Sequence, residues 1–93
     1  MTIDDIKRQH KGYFFNKDTI KFFKSRVLSE VYEGPGGIYF ITSEKGSDNI
    51  RGYTVRHYDP ITNDIRSVTQ FNQLTKYYAI KEAKLAAKGG NYA

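Results

Sequence analysis

The sequence contains no cysteine and only two histidines. Without thiols, disulfides, thiolate metal sites and cysteine nucleophiles are all excluded, and a reducing cytoplasm is the natural setting. The histidines, His10 and His57, lie far apart in the chain and have no carboxylates at ligand spacing. The sequence therefore predicts no metal, no cofactor and no enzymatic activity.

Long apolar runs are also missing. No segment approaches the roughly 20 apolar residues of a membrane span, and no signal-peptide pattern opens the chain, so we expect no membrane partner. At 93 residues the chain has room for one modest core. We divide it into a flexible polar segment over residues 1–12, expected to be loose or to form one short helical turn, a single domain over 13–90, and a tail over 91–93.

The clearest local pattern is a β-hairpin over residues 53–69. Two β-rich runs flank a turn in which Asp59 can accept from the loop amides, Pro60 pre-sets φ, and Asn63 tolerates a left-handed conformation. The sequence predicts antiparallel pairs between Asp59 and Asp64, Tyr58 and Ile65, His57 and Arg66, Arg56 and Ser67, Val55 and Val68, and Thr54 and Thr69.

Strand alternation divides this hairpin into two faces. One face carries Tyr53, Val55 and Val68 and is expected to meet the core. The other face is expected to be solvated, and it carries Thr54, Arg56, Tyr58, Ser67 and Thr69.

The stretch before the hairpin predicts a further strand. Residues 38–43 are almost continuously apolar, which is typical of a central strand or of one covered on both faces. Whether Phe40 or Ile41 faces inward stays open. The glycine- and proline-rich residues 34–37 are expected to break regular structure, and residues 44–50 are expected to form an exposed loop. Residues 27–32 fit either the end of a helix or a strand, and we prefer the strand.

Two helices complete the prediction. The first spans 16–26, with Asn16 as its N-cap, and the second spans 75–88, with Thr75 as its N-cap and a stop at Gly89. The fold class is therefore α+β: a three- or four-stranded antiparallel meander with an N-terminal and a C-terminal helix packed on it. The predicted core comprises Phe15, Ile20, Phe23, Phe40, Val55, Val68, Ile80 and Ala83.

Positive charge is concentrated near the C-terminus. The chain has a formal net charge of +5, yet residues 34–71 are neutral, while residues 72–93 hold four lysines and one glutamate. In the predicted second helix, Tyr77, Lys81, Lys84 and Lys88 fall at i, i+4, i+7 and i+11 and so form one stripe. Such stripes solubilise helices, and they also bind phosphates.

These observations lead to two functional hypotheses. The first is a non-enzymatic protein that contacts nucleic acid, DNA or RNA, through Lys81, Lys84 and Lys88. The residues expected to support this contact are Lys76, Arg56 and Tyr58. The alternative is a protein-binding inhibitor that uses the loops and the aromatic sheet against a host protein. The sequence predicts no particular oligomeric state.

The order helix, three antiparallel strands, helix resembles the double-stranded RNA-binding domain. Residues 81–87 are similar to the lysine-rich start of the second helix of that family. The family's Gly-Pro-x-His loop between the first two strands has no counterpart, because residues 43–51 contain neither proline nor histidine. This resemblance implies RNA contact through the helix and not through that loop.

A broader resemblance covers most of the chain. The segments that carry it are residues 12–15, 18–19, 22–26, 37–44, 53–56 and 58–60. They look like a group of small uncharacterised proteins encoded by bacteriophages and prophages. The resemblance implies a cytoplasmic protein of the bacterial host cell that manipulates host nucleic-acid metabolism or defence, including the anti-CRISPR kind, and it implies no catalytic residues.

Overall fold

The fold was analysed in a computed structural model, which describes residues 1–10, 26–45, 50–69 and 75–89. Its elements, in chain order, are α1 Ile3–Gln9, β1 Arg26–Gly34, β2 Gly37–Lys45, β3 Arg51–Asp59, β4 Asp64–Ser67 and α2 Lys76–Ala87. The strands form one antiparallel sheet in the order β1-β2-β3-β4. The predicted α+β meander, with a helix towards each end of the chain, is confirmed.

The sheet is covered on both faces. On one face, Tyr39, Ile41 and Val55 pack against the alanines of α2. On the other face, Phe40 and Tyr58 pack against the isoleucines of α1. The continuous apolar pattern of β2 has the same cause, because adjacent side chains of a strand point to opposite faces and both faces are buried here.

Helix α1 lies where the sequence predicted a loose end or a single turn. Thr2 and Asp5 form a capping box, in which each side chain accepts from the other's backbone N–H, at 3.2 Å and 3.0 Å. Ile3 and Ile6, one turn apart, are both buried. A seven-residue helix is marginal alone, so the burial of these two side chains on the sheet stabilises it.

The predicted helix over 16–26 lies outside the described residues, except for Arg26. Arg26 begins strand β1, so the prediction that it ends a helix is wrong. The strand preferred for 27–32 is confirmed and is longer, because β1 reaches Gly34. The predicted core residues Phe15, Ile20 and Phe23 are likewise outside the described part.

The other predicted core residues are buried or partly buried. Phe40, Val55 and Ala83 have no exposed surface, and Val68 and Ile80 pack against the cluster under α2.

The β3–β4 hairpin has the predicted register from Asp59–Asp64 to Arg56–Ser67. Asn63 adopts φ 61°, and the carboxylate of Asp59 accepts from the backbone N–H of Ile61 at 2.9 Å. The ladder then ends earlier than predicted. Val68 N–H still donates to Val55 O, but Val55 N–H donates to the Thr69 hydroxyl. The Thr69 hydroxyl thus takes the place of the Val68 carbonyl, which would accept from Val55 N–H in the predicted pair, and the predicted Thr54–Thr69 pair is not part of the ladder.

The turn between β1 and β2 docks on the C-terminal end of α2. The N–H of Gly36 donates to the carbonyl of Ala87 at 2.9 Å. A Cβ atom on Gly36 would lie 1.9 Å from the carbonyl oxygen of Ala86, and one on Gly34 would lie 2.3 Å from that of Ala87. The glycines of this turn are therefore needed for close backbone approach.

Candidate nucleic-acid interface

Helix α2 has the predicted limits. The Thr75 hydroxyl accepts from Tyr78 N–H at 3.3 Å, and the chain leaves the helix through Gly89, at φ 89°. Ala79, Ala83, Ala86 and Ala87 are buried against the sheet. The small alanines bring α2 close to the sheet and leave its opposite side in solvent.

The basic stripe, defined as Tyr77, Lys81, Lys84 and Lys88, lies on this outer side. All four side chains are exposed, and Tyr77 is 71% exposed. Within the described residues, none of the three ammonium groups has a hydrogen-bond or ion-pair partner. With a rise of 1.5 Å per residue, Lys81 and Lys88 lie about 10 Å apart along the axis, which is roughly three phosphate spacings of one duplex strand.

Exposed apolar side chains border the basic stripe. Tyr78, 52% exposed, lies about one turn before Lys81, and Leu85, 47% exposed, lies about one turn after it. The rings of Tyr77 and Tyr78 meet edge to face with centroids 5.5 Å apart. Tyr78 and Leu85 were not among the site residues predicted from the sequence, although helical spacing places them next to the basic stripe.

Lys76 does not belong to the basic stripe. It lies in the first turn of α2 and lines a separate cavity of about 230 Å³ together with Arg26, Ser43 and Tyr53. Arg51 adds a third cation to this region, because its guanidinium donates to the Ser43 hydroxyl at 3.0 Å. Lys76 is therefore exposed and near other cations, but it belongs to this separate cavity and not to the basic stripe.

Arg56 is not available at the surface, which corrects the sequence prediction. Its residue exposure is 9%, and its guanidinium donates to the Thr42 hydroxyl at 3.0 Å and to the Ser67 hydroxyl at 2.6 Å. It also forms an ion pair with Glu44 at 3.5 Å. Glu44, expected in an exposed loop, is instead buried within β2. These contacts explain Arg56 as a structural residue of the sheet.

Tyr58 is also buried, with 1% exposure. Its hydroxyl lies 2.7 Å from the Asn63 side-chain oxygen and 3.0 Å from that of Gln9, so it can donate to either. The Asn63 amide donates to the backbone carbonyl of Gln9 at 2.7 Å. The ring of Tyr58 cannot stack on a nucleobase, because it connects the β3–β4 turn to the end of α1.

The predicted solvated face is therefore wrong for Thr54 as well as for Arg56 and Tyr58, since all three are buried. Strand alternation correctly placed them on one face. It carried no information about the short helix α1, whose isoleucines cover the Tyr58 end of that face. Of the six residues proposed for binding, three lie together on the basic stripe, namely Lys81, Lys84 and Lys88. Lys76 lines a separate cavity, and Arg56 and Tyr58 are buried.

Burial governs the ionisation of the Arg56–Glu44 pair. Removal from water raises the pKa of Glu44 above its ordinary value of 4.5, and the nearby Arg56 charge and the Thr42 hydroxyl oppose this shift. Burial likewise lowers the pKa of Arg56, against the attraction of Glu44. Among the described residues, the second carboxylate oxygen of Glu44 is buried and has no hydrogen-bond partner. The hydrogen bonds that this oxygen makes to water in the unfolded chain are therefore not replaced there.

A Glu44→Gln variant is expected to lose part of the pH dependence of stability. Because the folded protein binds a proton at Glu44 more tightly than the unfolded chain, stability should fall as pH rises from 4.5 through the raised pKa. Urea unfolding at several pH values between about 4 and 7 measures this. The wild-type curve should fall more steeply than the variant curve, whereas parallel curves would contradict the assignment.

The described residues hold no group of three side chains that could hold a metal ion, so neither histidine belongs to such a group there. His57 is half-buried, with its ring 5.1 Å from that of Tyr39 in an edge contact. Burial, helped by the Arg66 charge, lowers the pKa of His57. The neutral ring therefore packs against Tyr39.

In the described part of the chain, no helix has the length and apolar character needed to cross a membrane.

A search of curated proteins and a search of solved structures each returned no significant match. Residues 2–88 match a family described as a family of unknown function, DUF7447. This match covers nearly the whole chain and both helices of the fold. The chain therefore belongs to the DUF7447 family.

Proposed function

We propose that this protein is a small, non-enzymatic nucleic-acid-binding protein whose contact surface is the basic stripe of α2. The observation that carries the proposal is the exposure of Lys81, Lys84 and Lys88 in one row, with no described anionic partner for any of them. Lysines in a row attract phosphates and release their counterions. Tyr77, at the start of the row, supplies an exposed ring for a base or a sugar.

Charge distribution supports this choice of surface. The helix and its cap hold four lysines, and Glu82 is the one acidic residue in this segment of the sequence. A stripe that served only solubility would be expected to alternate in sign and to form i, i+4 ion pairs. Here the row is of one sign. Lys76, in the first turn of α2, lines a cavity with Arg26 and so adds to the positive surface.

Replacing Lys81, Lys84 and Lys88 together by glutamine tests the proposal. If three phosphates are neutralised, the wild-type affinity for duplex should fall roughly 40-fold between about 50 and 200 mM salt. The variant should lose most of this dependence, because each phosphate contact contributes about 0.9 to the salt slope. Fluorescence anisotropy with labelled DNA and RNA at several salt concentrations measures both quantities.

The matched control removes the same number of positive charges from other parts of the surface. Lys7, Lys45 and Arg66 are exposed on α1, β2 and β4, and their joint replacement by glutamine also lowers the net charge by three. This control should bind nearly as tightly as the wild type. Absence of binding by the wild type, or equal loss in both variants, rejects the basic stripe as the nucleic-acid contact.

A second candidate is favoured by the apolar border of the stripe. Tyr77, Tyr78 and Leu85 are large and exposed, and aromatic side chains are enriched at protein interfaces. On this reading the protein inhibits a host defence or replication factor in the bacterial cytoplasm, as the resemblance to phage-encoded proteins implies. A pull-down from bacterial lysate with and without nuclease separates the two functions. A partner that survives nuclease and is lost in a Tyr78→Ala variant favours this second function.

A further inference from the structure

A cavity of about 350 Å³ opens beside the C-terminal half of the basic stripe. Strand β1 and the β1–β2 turn form one wall, and the last turns of α2 form the other. Its size is at the lower end of the range for small-ligand sites, roughly 300–1,000 Å³. The described residues that line it include Tyr32, Pro35, Ala87, Lys84 and Lys88.

The lining separates apolar from charged groups. Tyr32, Pro35 and Ala87 offer apolar surface, whereas the two lysines bring positive charge to the same opening. Glu33 is the acidic residue among the described lining residues, and it is ion-paired with the amino group of Met1 at 3.3 Å. The cavity therefore combines an apolar surface with two lysines that have no described partner.

This arrangement is built into the fold. The turn is fixed to α2 by the bond from Gly36 N–H to Ala87 O, so the two walls keep their separation. Strand β1 is the edge strand of the described sheet, which leaves the opening accessible from the side. Burial raises the pKa of Tyr32, helped by the Glu30 charge, so its ring is a neutral phenol at neutral pH.

We propose that this cavity holds one unstacked nucleobase of a single-stranded nucleic acid, against Tyr32 and Pro35, with the flanking phosphates on Lys84 and Lys88. The inference rests on the proposed function and narrows it from nucleic acid in general to single strands. In a duplex the bases are stacked and paired, and only their edges are accessible. A base from a single strand can enter a cavity sideways and place its ring on an aromatic surface.

Variants at Tyr32 test the stacking contact. Tyr32→Phe keeps the ring, whereas Tyr32→Leu keeps apolar packing against the core without it. The probes are labelled oligothymidylate, oligouridylate and a mixed-sequence duplex, measured by anisotropy. We expect wild type and Tyr32→Phe to bind the single strands more tightly than the duplex. Tyr32→Leu should bind single strands roughly five- to hundredfold more weakly, with duplex binding unchanged.

A pair of surface variants provides a test that does not touch the core. Lys84 lines the cavity, whereas Lys81 lies one turn away on the same stripe, and both are exposed. Lys84→Gln should reduce single-strand binding more than duplex binding, and Lys81→Gln should reduce both alike. A thermal melt of each variant confirms that it is folded.

The outcomes are distinguishable from those of the proposed function. If the triple lysine variant weakens binding but Tyr32→Leu and Lys84→Gln leave the preference for single strands unchanged, the cavity proposal is overturned and the basic stripe stands. If the wild type prefers duplex, the cavity proposal is also overturned. If no oligonucleotide binds at all, both proposals fail, and the apolar border of α2 points to a protein partner.

Discussion

Replacement of Arg56 by alanine is expected to lower the free energy of unfolding by about 3–5 kcal/mol. The substitution leaves Glu44 buried, with 5% of its side chain exposed and without the guanidinium that pairs with it. The Thr42 and Ser67 hydroxyls accept hydrogen bonds from the guanidinium, and the substitution would remove both donors. One residue therefore satisfies a polar cluster that links β2, β3 and β4.

Thermal and urea unfolding measure this effect, and the midpoint temperature should fall by roughly 12 °C or more. Arg66→Ala is the matched control, because Arg66 is exposed on the neighbouring strand and its loss should change stability by about 0.5 kcal/mol or less. A double variant, Arg56→Met with Glu44→Leu, should recover much of the loss, since it removes both buried charges.

Two results would contradict this account. A loss of less than about 1 kcal/mol in Arg56→Ala would mean that water replaces the guanidinium at little cost. A double variant no more stable than Arg56→Ala would mean that the uncompensated Glu44 charge is not the cause.

Replacement of Gly36 by alanine should be the next most damaging change, at about 2–4 kcal/mol. Its Cβ would lie 1.9 Å from Ala86 O and 2.6 Å from Gly89 N, which are backbone atoms that cannot rotate away. The turn must then move off α2, which breaks the hydrogen bond to Ala87 and loosens the alanine packing on the sheet. A fall of roughly 8 °C or more in the unfolding midpoint is expected.

The control for this experiment is Pro35→Ala in the same turn. Pro35 is exposed, so its loss should cost less than about 1 kcal/mol. Gly36 does not have a positive φ, unlike Gly37 at φ 124°, so backbone strain cannot explain a large effect at Gly36. Equal destabilisation by Gly36→Ala and Pro35→Ala would show that turn propensity, and not contact with the helix, sets the stability.

Local patterns predicted much of the fold because they depend on neighbours in the chain. The turn at Asp59 and Asn63, the capping of α2 at Thr75 and its end at Gly89 were all read from a few adjacent residues, and all three are confirmed. Residues 27–32 were harder, because Val27 and Val31 suit a strand while the run lacks turn signals. In the structure this segment is a strand, which leads into the β1–β2 turn docked on α2.

The candidate site was predicted in part for the same reason. Helical spacing alone brings Lys81, Lys84 and Lys88 together, and the structure confirms that they share an exposed row. Tyr32 could not be added from sequence, because it lines the same cavity as Lys84 only through the docking of the β1–β2 turn on the helix. No pattern within β1 signals that contact.

The sequence by itself determined the strands, the hairpin register near its turn, the limits of α2 and the basic stripe, since each depends on local periodicity. Only the tertiary structure decided which faces are covered. Two isoleucines of α1 enclose one end of the sheet face on which Arg56 and Tyr58 were expected to be exposed. Burial depends on which distant segment packs where, and this is why the proposed binding surface lies on α2 and beside Tyr32 and not on the sheet.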